Sequence, residues 1–264
     1  MDLQLVGKKA LITGSTAGIG FAIATELARE GVRVVLNGRT QAGVEAAIAR
    51  LRGLVADAEV SGFAADLATA YGCHALTSTC PQVDILVNNL GIFDPVPFEA
   101  ISDNDWQRFF DTNVMSGVRL ARHYLPSMKA ANWGRIVFIS SESGVNPPGE
   151  MVHYGMTKAA ELSISRGLAQ TAAGTGVTVN AVLPGPTRTE GVCDFFGKLA
   201  TAQGIDLAEA ERRFFAEARP TSLLKRFIDP AEVAALVAYV CSPRAAATNG
   251  AALRVEGGII SSMC

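Results

Sequence analysis

Two side chains suited to acid-base chemistry, Tyr154 and Lys158, stand four residues apart. Residues at this spacing lie on the same face of an α-helix. A phenol titrates near pH ~10, which makes tyrosine a poor proton donor or acceptor at neutral pH. A neighbouring ammonium stabilises the phenolate and lowers the pKa of the phenol. The spacing therefore predicts that Tyr154 protonates a developing alkoxide, or deprotonates an alcohol, and that Lys158 lowers its pKa.

Other polar residues are placed to assist the same reaction. Ser140 and Ser141 follow the apolar run 136–139, and Ser141 stands thirteen residues before Tyr154. Side chains alternate along an extended strand, so we expect Ser141 to hydrogen-bond the substrate oxygen and Ser140 to be structural. Asn113 lies within a predicted helix over 105–131, where its side chain is expected to order water behind Lys158.

A glycine-rich turn ends the first apolar run and precedes a helical pattern. Its glycines permit a tight turn and a close backbone approach, and helix N-terminal N–H groups favour a negatively charged ligand. We expect this turn to bind the pyrophosphate of a dinucleotide through Gly14, Ser15, Thr16, Gly18, Ile19 and Gly20.

The second apolar run ends in Asn37, Gly38 and Arg39, with no carboxylate. A carboxylate at this point binds the ribose hydroxyls of NAD and repels a 2′-phosphate. The permanently charged guanidinium of Arg39 suits a phosphate instead. The sequence therefore favours NADP(H), with NAD(H) as the alternative.

Short apolar runs alternate with helical patterns along the whole chain. This alternation predicts an α/β fold, a doubly wound parallel sheet with helices on both faces, in a single domain over 1–264. The strand runs are 10–12, 34–36, 60–65, 85–87, 136–139, 177–182 and 252–255, and the helical patterns are 19–30, 41–52, 105–131, 153–173 and 230–241.

The segment 186–224 breaks the rhythm, since it is long and carries no strand pattern. We interpret it as a helical flap over the site. Its four phenylalanines either form apolar walls for a hydrophobic substrate or pack against one another within the flap. They are Phe195, Phe196, Phe214 and Phe215.

At this point the chain resembles the short-chain dehydrogenase/reductase family in its single-domain, Rossmann-like form, and in particular its 3-oxoacyl reductase-like members. The motifs stand in family order over essentially the whole chain. They are Thr13 to Gly20, Asp66 with Leu67, Asn88 to Gly91, Asn113, Ser141, Tyr154 with Lys158, Pro184 with Gly185, and Val255 to Gly258.

The resemblance implies roles for these positions. Tyr154 corresponds to the acid-base, Lys158 to the residue that lowers its pKa and binds the nicotinamide ribose, Ser141 to the substrate-oxygen donor, and Asn113 to the support of a proton-relay water. Adenine contacts fall to Asp66 and Leu67, and the turn beside the adenosine ribose to Asn89 and Gly91. The loop that holds the nicotinamide carboxamide corresponds to Pro184, Gly185, Thr187 and Thr189.

Three positions stand apart from the pattern. Leu90 replaces the alanine usual in the family and is expected to crowd the cofactor turn. Glu256 replaces a more usual aspartate. His153 precedes Tyr154 and either contacts substrate or, as we favour, is structural.

Composition excludes several classes of partner. The net charge is −2 and no basic run is present, which argues against nucleic acid. Five cysteines without a C-x-x-C pair favour a reducing compartment and predict no metal site. No leader pattern or ~20-residue apolar stretch is found, so we expect a cytoplasmic protein without a membrane partner.

Three functions stay open at this stage. The first is interconversion of a small-molecule carbonyl and a secondary alcohol with NADP(H). The second is reduction of a 3-oxoacyl thioester on an acyl carrier protein, although the loops 130–133 and 172–175 lack the basic residues such a partner calls for. The third is an NADPH-binding regulator without turnover. The resemblance also implies a homodimer or homotetramer formed through the two long helices.

Overall fold

The computed structural model describes residues 1–263, so residue 264 of the predicted domain lies outside the described residues. Seven parallel strands form one sheet in the order β3-β2-β1-β4-β5-β6-β7. The order reverses direction at β1, where neighbouring crossovers leave a crevice at the carboxyl ends of the strands. The strands are β1 Lys9–Ile12, β2 Arg33–Gly38, β3 Val60–Ala64, β4 Ile85–Asn88, β5 Gly134–Ile139, β6 Val177–Pro184 and β7 Ala252–Val255.

Nine α-helices connect these strands within the described residues. They are α1 Gly18–Arg29, α2 Gln41–Leu54, α3 Ala70–Thr79, α4 Asp103–Phe109, α5 Ser116–Ala130, α6 Val152–Thr171, α7 Glu190–Gln203, α8 Leu207–Glu217 and α9 Pro230–Cys241.

The core lies in two layers, one on each face of the sheet. Helices α1, α2 and α9 pack on one face through a cluster that includes Leu27, Leu51 and Val237. Helices α3, α5 and α6 cover the other face through a cluster that includes Leu76 and Tyr124. Strands β5 and β6 are buried along their whole length, as expected of central strands that helices cover on both faces. The predicted doubly wound architecture is confirmed.

Two helical regions differ from the sequence prediction. Helix α3 was not predicted, because its hydrophobic stripe is weak; the Thr69 side chain caps it, and Cys73 and Leu76 fix it to the core. The predicted helix over 105–131 is interrupted by one π-helical turn, Phe110–Met115, between α4 and α5. Such turns displace side chains from regular helical positions and concentrate at functional sites.

The segment 186–224 contains α7 and α8. They enclose a third, smaller hydrophobic cluster, in which Phe196, Phe215 and Phe227 are buried. This cluster is separate from the two main layers. Among the helices of residues 1–263, none is long and apolar enough to cross a membrane.

Candidate active site

A cavity of about 400 Å³ opens at the carboxyl ends of β5 and β6. Its floor includes Ser141 and Tyr154, and the loop after β6 forms one side. Helices α7 and α8 contribute aromatic walls, which are Phe195, Phe196 and Phe214. The structure thus gathers residues from three well-separated parts of the sequence around one space, at the edge of the sheet where ligands of such folds bind.

Tyr154 lies in the first turn of α6 and is partly buried. Burial raises the pKa of its phenol, the carboxylate of Glu142 raises it further, and a hydrogen bond with Ser141 lowers it. Glu161 also raises this pKa, and Arg219 lowers it. We expected a lowered pKa; the structure gives the opposite direction, because burial and two carboxylates outweigh the lowering influences.

Lys158 is buried behind Tyr154, with its Nζ 5.7 Å from the centre of the phenol ring. The ammonium donates to the carbonyl oxygen of Ile139 over 2.8 Å and to both carboxylate oxygens of Glu161, at 3.2 and 3.1 Å. Burial raises the pKa of Glu161 to about 7, against the opposing charge of Lys158. Sequence reasoning missed Glu161, although its position three residues after Lys158 placed it on the same helix face.

The two serines after β5 point to different partners. Ser140 Oγ donates to the carbonyl oxygen of Lys158 over 2.8 Å and so fastens β5 to α6. Ser141 lines the cavity, its hydroxyl donates to the carboxylate of Glu142, and its Oγ accepts from the N–H of Ser143 over 3.1 Å. The hydroxyl of Ser140 is therefore engaged with α6, whereas that of Ser141 is engaged with Glu142 at the cavity.

Three charged residues at the cavity were not singled out from the sequence. Glu142 is buried beside Ser141, and its Oε1 lies 3.4 Å from Nε of Arg219. Nη1 of Arg219 donates to Oε1 of Glu150 over 3.1 Å. Arg219 follows α8, so this network joins the end of β5 to the 186–224 segment.

Asn113 lies in the π-helical turn and is buried. Its Oδ1 accepts from the N–H of Ile92 over 2.8 Å, and its Nδ2 donates to the carbonyl oxygen of Ile92 and to Oγ1 of Thr157, both over 3.0 Å. A Cβ at Gly91 would stand 3.5 Å from Nζ of Lys158 and 3.7 Å from Oδ1 of Asn113. The Asn113 side chain therefore joins the loop after β4 to α6 beside the lysine.

The glycine-rich turn has the geometry of an anion cradle. Gly14 and Gly18 adopt positive φ angles of 58° and 57°, and a Cβ at Gly20 would stand 2.4 Å from Nδ2 of Asn89. Ala17 gives helix α1 no side-chain cap. The carboxylate of Glu190 accepts from the N–H of Gly18 over 2.9 Å, so this helix end already attracts an anionic group. The residues present fit the pyrophosphate of a dinucleotide.

Several residues expected to contact the cofactor have structural partners within the protein. Ser15 is buried, donates to the carbonyl oxygen of Ile12 over 2.7 Å and accepts from the N–H of Asn37 over 2.9 Å. Asn89 Nδ2 donates to the carbonyl oxygens of Thr13 and Gly14, at 2.9 and 3.1 Å. Both side chains fix the shape of the turn. Thr16, within the turn, lies against the end of β2, since a Cβ at Gly38 would meet its Cγ2.

The residues expected to lie beside the adenosine differ in burial. Leu67 is buried in the second core layer, whereas Asp66 is exposed and its Oδ1 accepts from the N–H of Ala68 over 3.1 Å. Arg39 is exposed at the end of β2, and within residues 1–263 no carboxylate pairs with it. Asn37, where a carboxylate would bind ribose, is buried and donates through Nδ2 to Phe63 and Ala65.

The loop after β6 lines the cavity opposite Tyr154. Gly185 allows a close approach, since a Cβ there would stand 2.7 Å from the carbonyl oxygen of Glu256. Thr187 Oγ1 donates to the carbonyl oxygen of Gly185 over 2.8 Å. Thr189 caps α7. Together with Pro184 these residues form one wall of the cavity.

The three positions that stand apart from the family pattern all make contacts within the protein. Leu90 packs against the second core layer, and its Cα would meet a Cβ at Gly14 at 3.2 Å. Glu256 is buried and accepts from the N–H groups of Ile259 and Ile260, which fixes the turn after β7. His153 is buried with its ring centre 3.9 Å from that of Phe109, and burial lowers its pKa.

The described residues contain no group of three or more histidine, cysteine, aspartate or glutamate side chains that could hold a metal ion. The four cysteines among them are free thiols.

Comparison with known proteins decides the family. The model of the short chain dehydrogenase family matches residues 8–196. This chain belongs to that family. It is an oxidoreductase of the short-chain dehydrogenase/reductase type, with a site for a nicotinamide cofactor.

Two curated relatives and one solved structure show how far the likeness extends. The chain is 50% identical over 263 residues to "Uncharacterized oxidoreductase YvaG" of Bacillus subtilis (strain 168), covering 100% of both proteins. It is 33% identical to the 3-oxoacyl-[acyl-carrier-protein] reductase FabG of Aquifex aeolicus, over 98% of this chain and 100% of the relative. L-Sorbose reductase from Gluconobacter frateurii, complexed with NADPH and L-sorbose, superimposes with a TM-score of 0.93 at 32% identity over 100% of both chains.

Proposed function

We propose that this protein interconverts a carbonyl and a secondary alcohol by hydride transfer with NADP(H), using Ser141, Tyr154 and Lys158. One observation carries the proposal: Ser141 and Tyr154 share the floor of one cavity, with the Lys158 ammonium buried behind the phenol. The glycine-rich turn follows β1 and the loop follows β6, so both lie at the carboxyl edge of the parallel sheet. A nicotinamide and a carbonyl carbon can therefore meet over Tyr154.

Each residue has a defined task in this reaction. The bound nicotinamide supplies or accepts the hydride. Ser141 donates a hydrogen bond to the carbonyl oxygen, and Tyr154 delivers the proton that the developing alkoxide takes. Lys158 binds the ribose and keeps a positive charge beside the phenol, while Asn113 holds the loop that borders it. The phenol of Tyr154 is protonated at neutral pH, which is the form that reduction requires.

A substrate panel tests this function. Purified protein is assayed for NADPH oxidation with ketones, ketoses, 3-oxoacyl thioesters and diketones, and for the reverse reaction with their alcohols. We expect turnover on at least one class, and a loss of roughly 10²-fold or more in Tyr154→Phe with cofactor binding retained. Thioester-specific turnover would select the acyl carrier protein alternative, which the likeness to FabG of Aquifex aeolicus supports.

The same panel separates an enzyme from a regulator. Tight NADPH binding without turnover on any carbonyl would contradict the proposal and favour the non-catalytic alternative. The presence of Ser141, Tyr154 and Lys158 together supports turnover.

We propose a preference for NADP(H) on the basis of Arg39. Its exposed guanidinium stands at the end of β2, where the 2′-phosphate of the cofactor is expected. The NADPH in the L-sorbose reductase structure agrees with this. Arg39→Ala should raise the KM for NADPH by roughly tenfold or more and leave that for NADH almost unchanged. Arg29→Ala, at the far end of α1, is the control. Equal changes in the KM for NADPH and the KM for NADH in Arg39→Ala would refute the role of Arg39.

We also propose that residues 186–224 close over the substrate and that the protein forms a homodimer or homotetramer through α5 and α6. The aromatic side chains of α7 and α8 at the cavity support the first idea. The second follows from the family. Sedimentation velocity is the test of assembly, and a stable monomer would contradict it.

A further inference from the structure

Glu142 and Arg219 form a buried charged pair in the lining of the cavity. Their exposed fractions are only 5% and 9%. Glu142 Oε1 lies 3.4 Å from Nε of Arg219, and its Oε2 accepts the hydroxyl of Ser141. The pair is therefore within one hydrogen bond of the serine that the proposed function places against the reacting carbonyl.

The guanidinium has donors to spare. Its Nη1 donates to Oε1 of Glu150 over 3.1 Å and to the carbonyl oxygen of Ala218 over 2.7 Å, and its Nε lies against Glu142. Nη2 donates a hydrogen bond to no described residue, although Arg219 is nine-tenths buried and lines the cavity. Because Arg219 lines the cavity, the N–H groups of its Nη2 can donate to an oxygen atom of a ligand.

Charge and hydrogen bonding limit what that oxygen can be. Glu142 and Glu150 carry two negative charges against the single positive charge of Arg219, so this end of the cavity disfavours a carboxylate. A hydroxyl both donates and accepts. It can donate to Glu142 and accept from Nη2 of Arg219 at the same time.

The contact between Ser141 and Glu142 indicates which carbon of the substrate carries this hydroxyl. Ser141 now donates its single proton to Glu142, so it cannot also donate to a carbonyl oxygen. A substrate hydroxyl that donates to Glu142 replaces Ser141 and frees the serine for the carbonyl. Since Glu142 adjoins Ser141, that hydroxyl belongs on the carbon next to the carbonyl.

Resting on the proposed function, we infer that Glu142 and Arg219 form a recognition pair for α-hydroxy ketones, and for vicinal diols in the reverse direction. The other walls of the cavity are mainly apolar, so an apolar remainder of the substrate suits them. Their apolar side chains include Phe93, Met151, Phe195, Phe196, Phe214 and Phe227.

Two ketones of equal size test the inference. In 1-hydroxyhexan-2-one a hydroxyl replaces the terminal methyl of heptan-3-one, next to the same carbonyl. The readout is the ratio of their kcat/KM values with NADPH. We expect wild type to prefer the hydroxy ketone, and Arg219→Met to reduce the ratio by about tenfold or more, because the variant loses the donor to the hydroxyl. Arg226→Met removes the same charge from an arginine paired with Glu232 outside the cavity, and serves as the matched control.

A second variant keeps the test decisive if Arg219→Met does not fold. Glu142→Gln preserves the shape of the side chain but removes the carboxylate that accepts the substrate hydroxyl. It should therefore also reduce the ratio of the two kcat/KM values. A ratio unchanged in either folded variant, or a wild-type enzyme that reduces both ketones equally, would overturn the inference. A wild-type protein that reduces no carbonyl at all contradicts the proposed function instead.

Discussion

At the scale of single residues, the charges around Tyr154 determine the direction in which its pKa moves. Lys158 carries the positive charge expected beside the phenol, but Glu161 binds it through both carboxylate oxygens. A buried ion pair of this kind partly cancels the field that either charge exerts on a neighbour. The phenol therefore experiences less positive charge than the four-residue spacing suggested.

Replacing Glu161 should shift the pH dependence of alcohol oxidation. Oxidation requires the deprotonated phenol, so kcat/KM rises with pH through the pKa of Tyr154. Glu161→Gln removes a carboxylate that raises this pKa, while Glu142 and Arg219 still act on the phenol. We expect the rise to move to lower pH. The pH profile of kcat/KM is the measurement, with Glu161→Asp as the charge-preserving control. An unmoved profile in Glu161→Gln would mean that Glu161 is only structural.

The side-chain amide of Asn37 both donates and accepts hydrogen bonds beside the glycine-rich turn, which a carboxylate cannot do. Its Nδ2 donates to the carbonyl oxygens of Phe63 and Ala65, both over 3.2 Å, while its Oδ1 accepts from the N–H of Gly14. Asn37→Asp would place a buried carboxylate against two carbonyl oxygens. We expect a loss of about 2–4 kcal/mol in the free energy of unfolding, rather than a simple switch to NAD.

Denaturant unfolding at fixed protein concentration measures this loss. Asn104→Asp, at an exposed position in α4, is the control and should change stability little. Full stability of Asn37→Asp would show that Asn37 is not needed to hold the turn.

At the scale of elements, capping residues and loops decide where the helices begin and what they carry to the site. Thr189 starts α7 directly after the loop that faces Tyr154. The π-helical turn between α4 and α5 points Asn113 at the loop after β4 rather than continuing a regular helix. Such local geometry requires partners that are distant in the sequence.

The start of α9 offers a test at this scale. Asp229 accepts from the N–H of Ala231 over 2.8 Å and forms a capping box with Glu232. Asp229→Ala should lower the free energy of unfolding by about 1 kcal/mol, because N–H groups at the helix start lose their acceptor. Asp57→Ala, at an exposed position outside any helix, should be nearly neutral. Equal denaturation midpoints for the two variants would contradict the capping role.

At the scale of the whole molecule, two large clusters cover the sheet and one small cluster holds α7 and α8 together. The small cluster buries few residues, and most side chains of these two helices are exposed or half-buried. Local unfolding costs least where few apolar contacts are lost. The segment that walls the cavity is therefore the part most easily opened.

Hydrogen exchange followed by mass spectrometry tests this difference in stability. We expect amides of α7 and α8 to exchange at least about tenfold faster than those of β5 and β6, which lie in the centre of the sheet. The internal control is α9, whose apolar face is packed in the first core layer. Equal protection of α7, α8 and β5 would show that the segment does not open independently.

The sequence by itself determined the α/β architecture and the spacing of Tyr154 and Lys158, because strand and helix periodicities and the four-residue helical repeat are local properties. It also indicated the glycine-rich turn, whose positive φ angles require glycine. The tertiary structure alone decided which polar groups meet. Glu142 and Arg219 are 77 residues apart in the chain, and only the packing of the segment after α8 against the end of β5 brings them together. Burial likewise set the direction of the Tyr154 pKa, since desolvation depends on everything packed around the phenol and not on its neighbours in sequence.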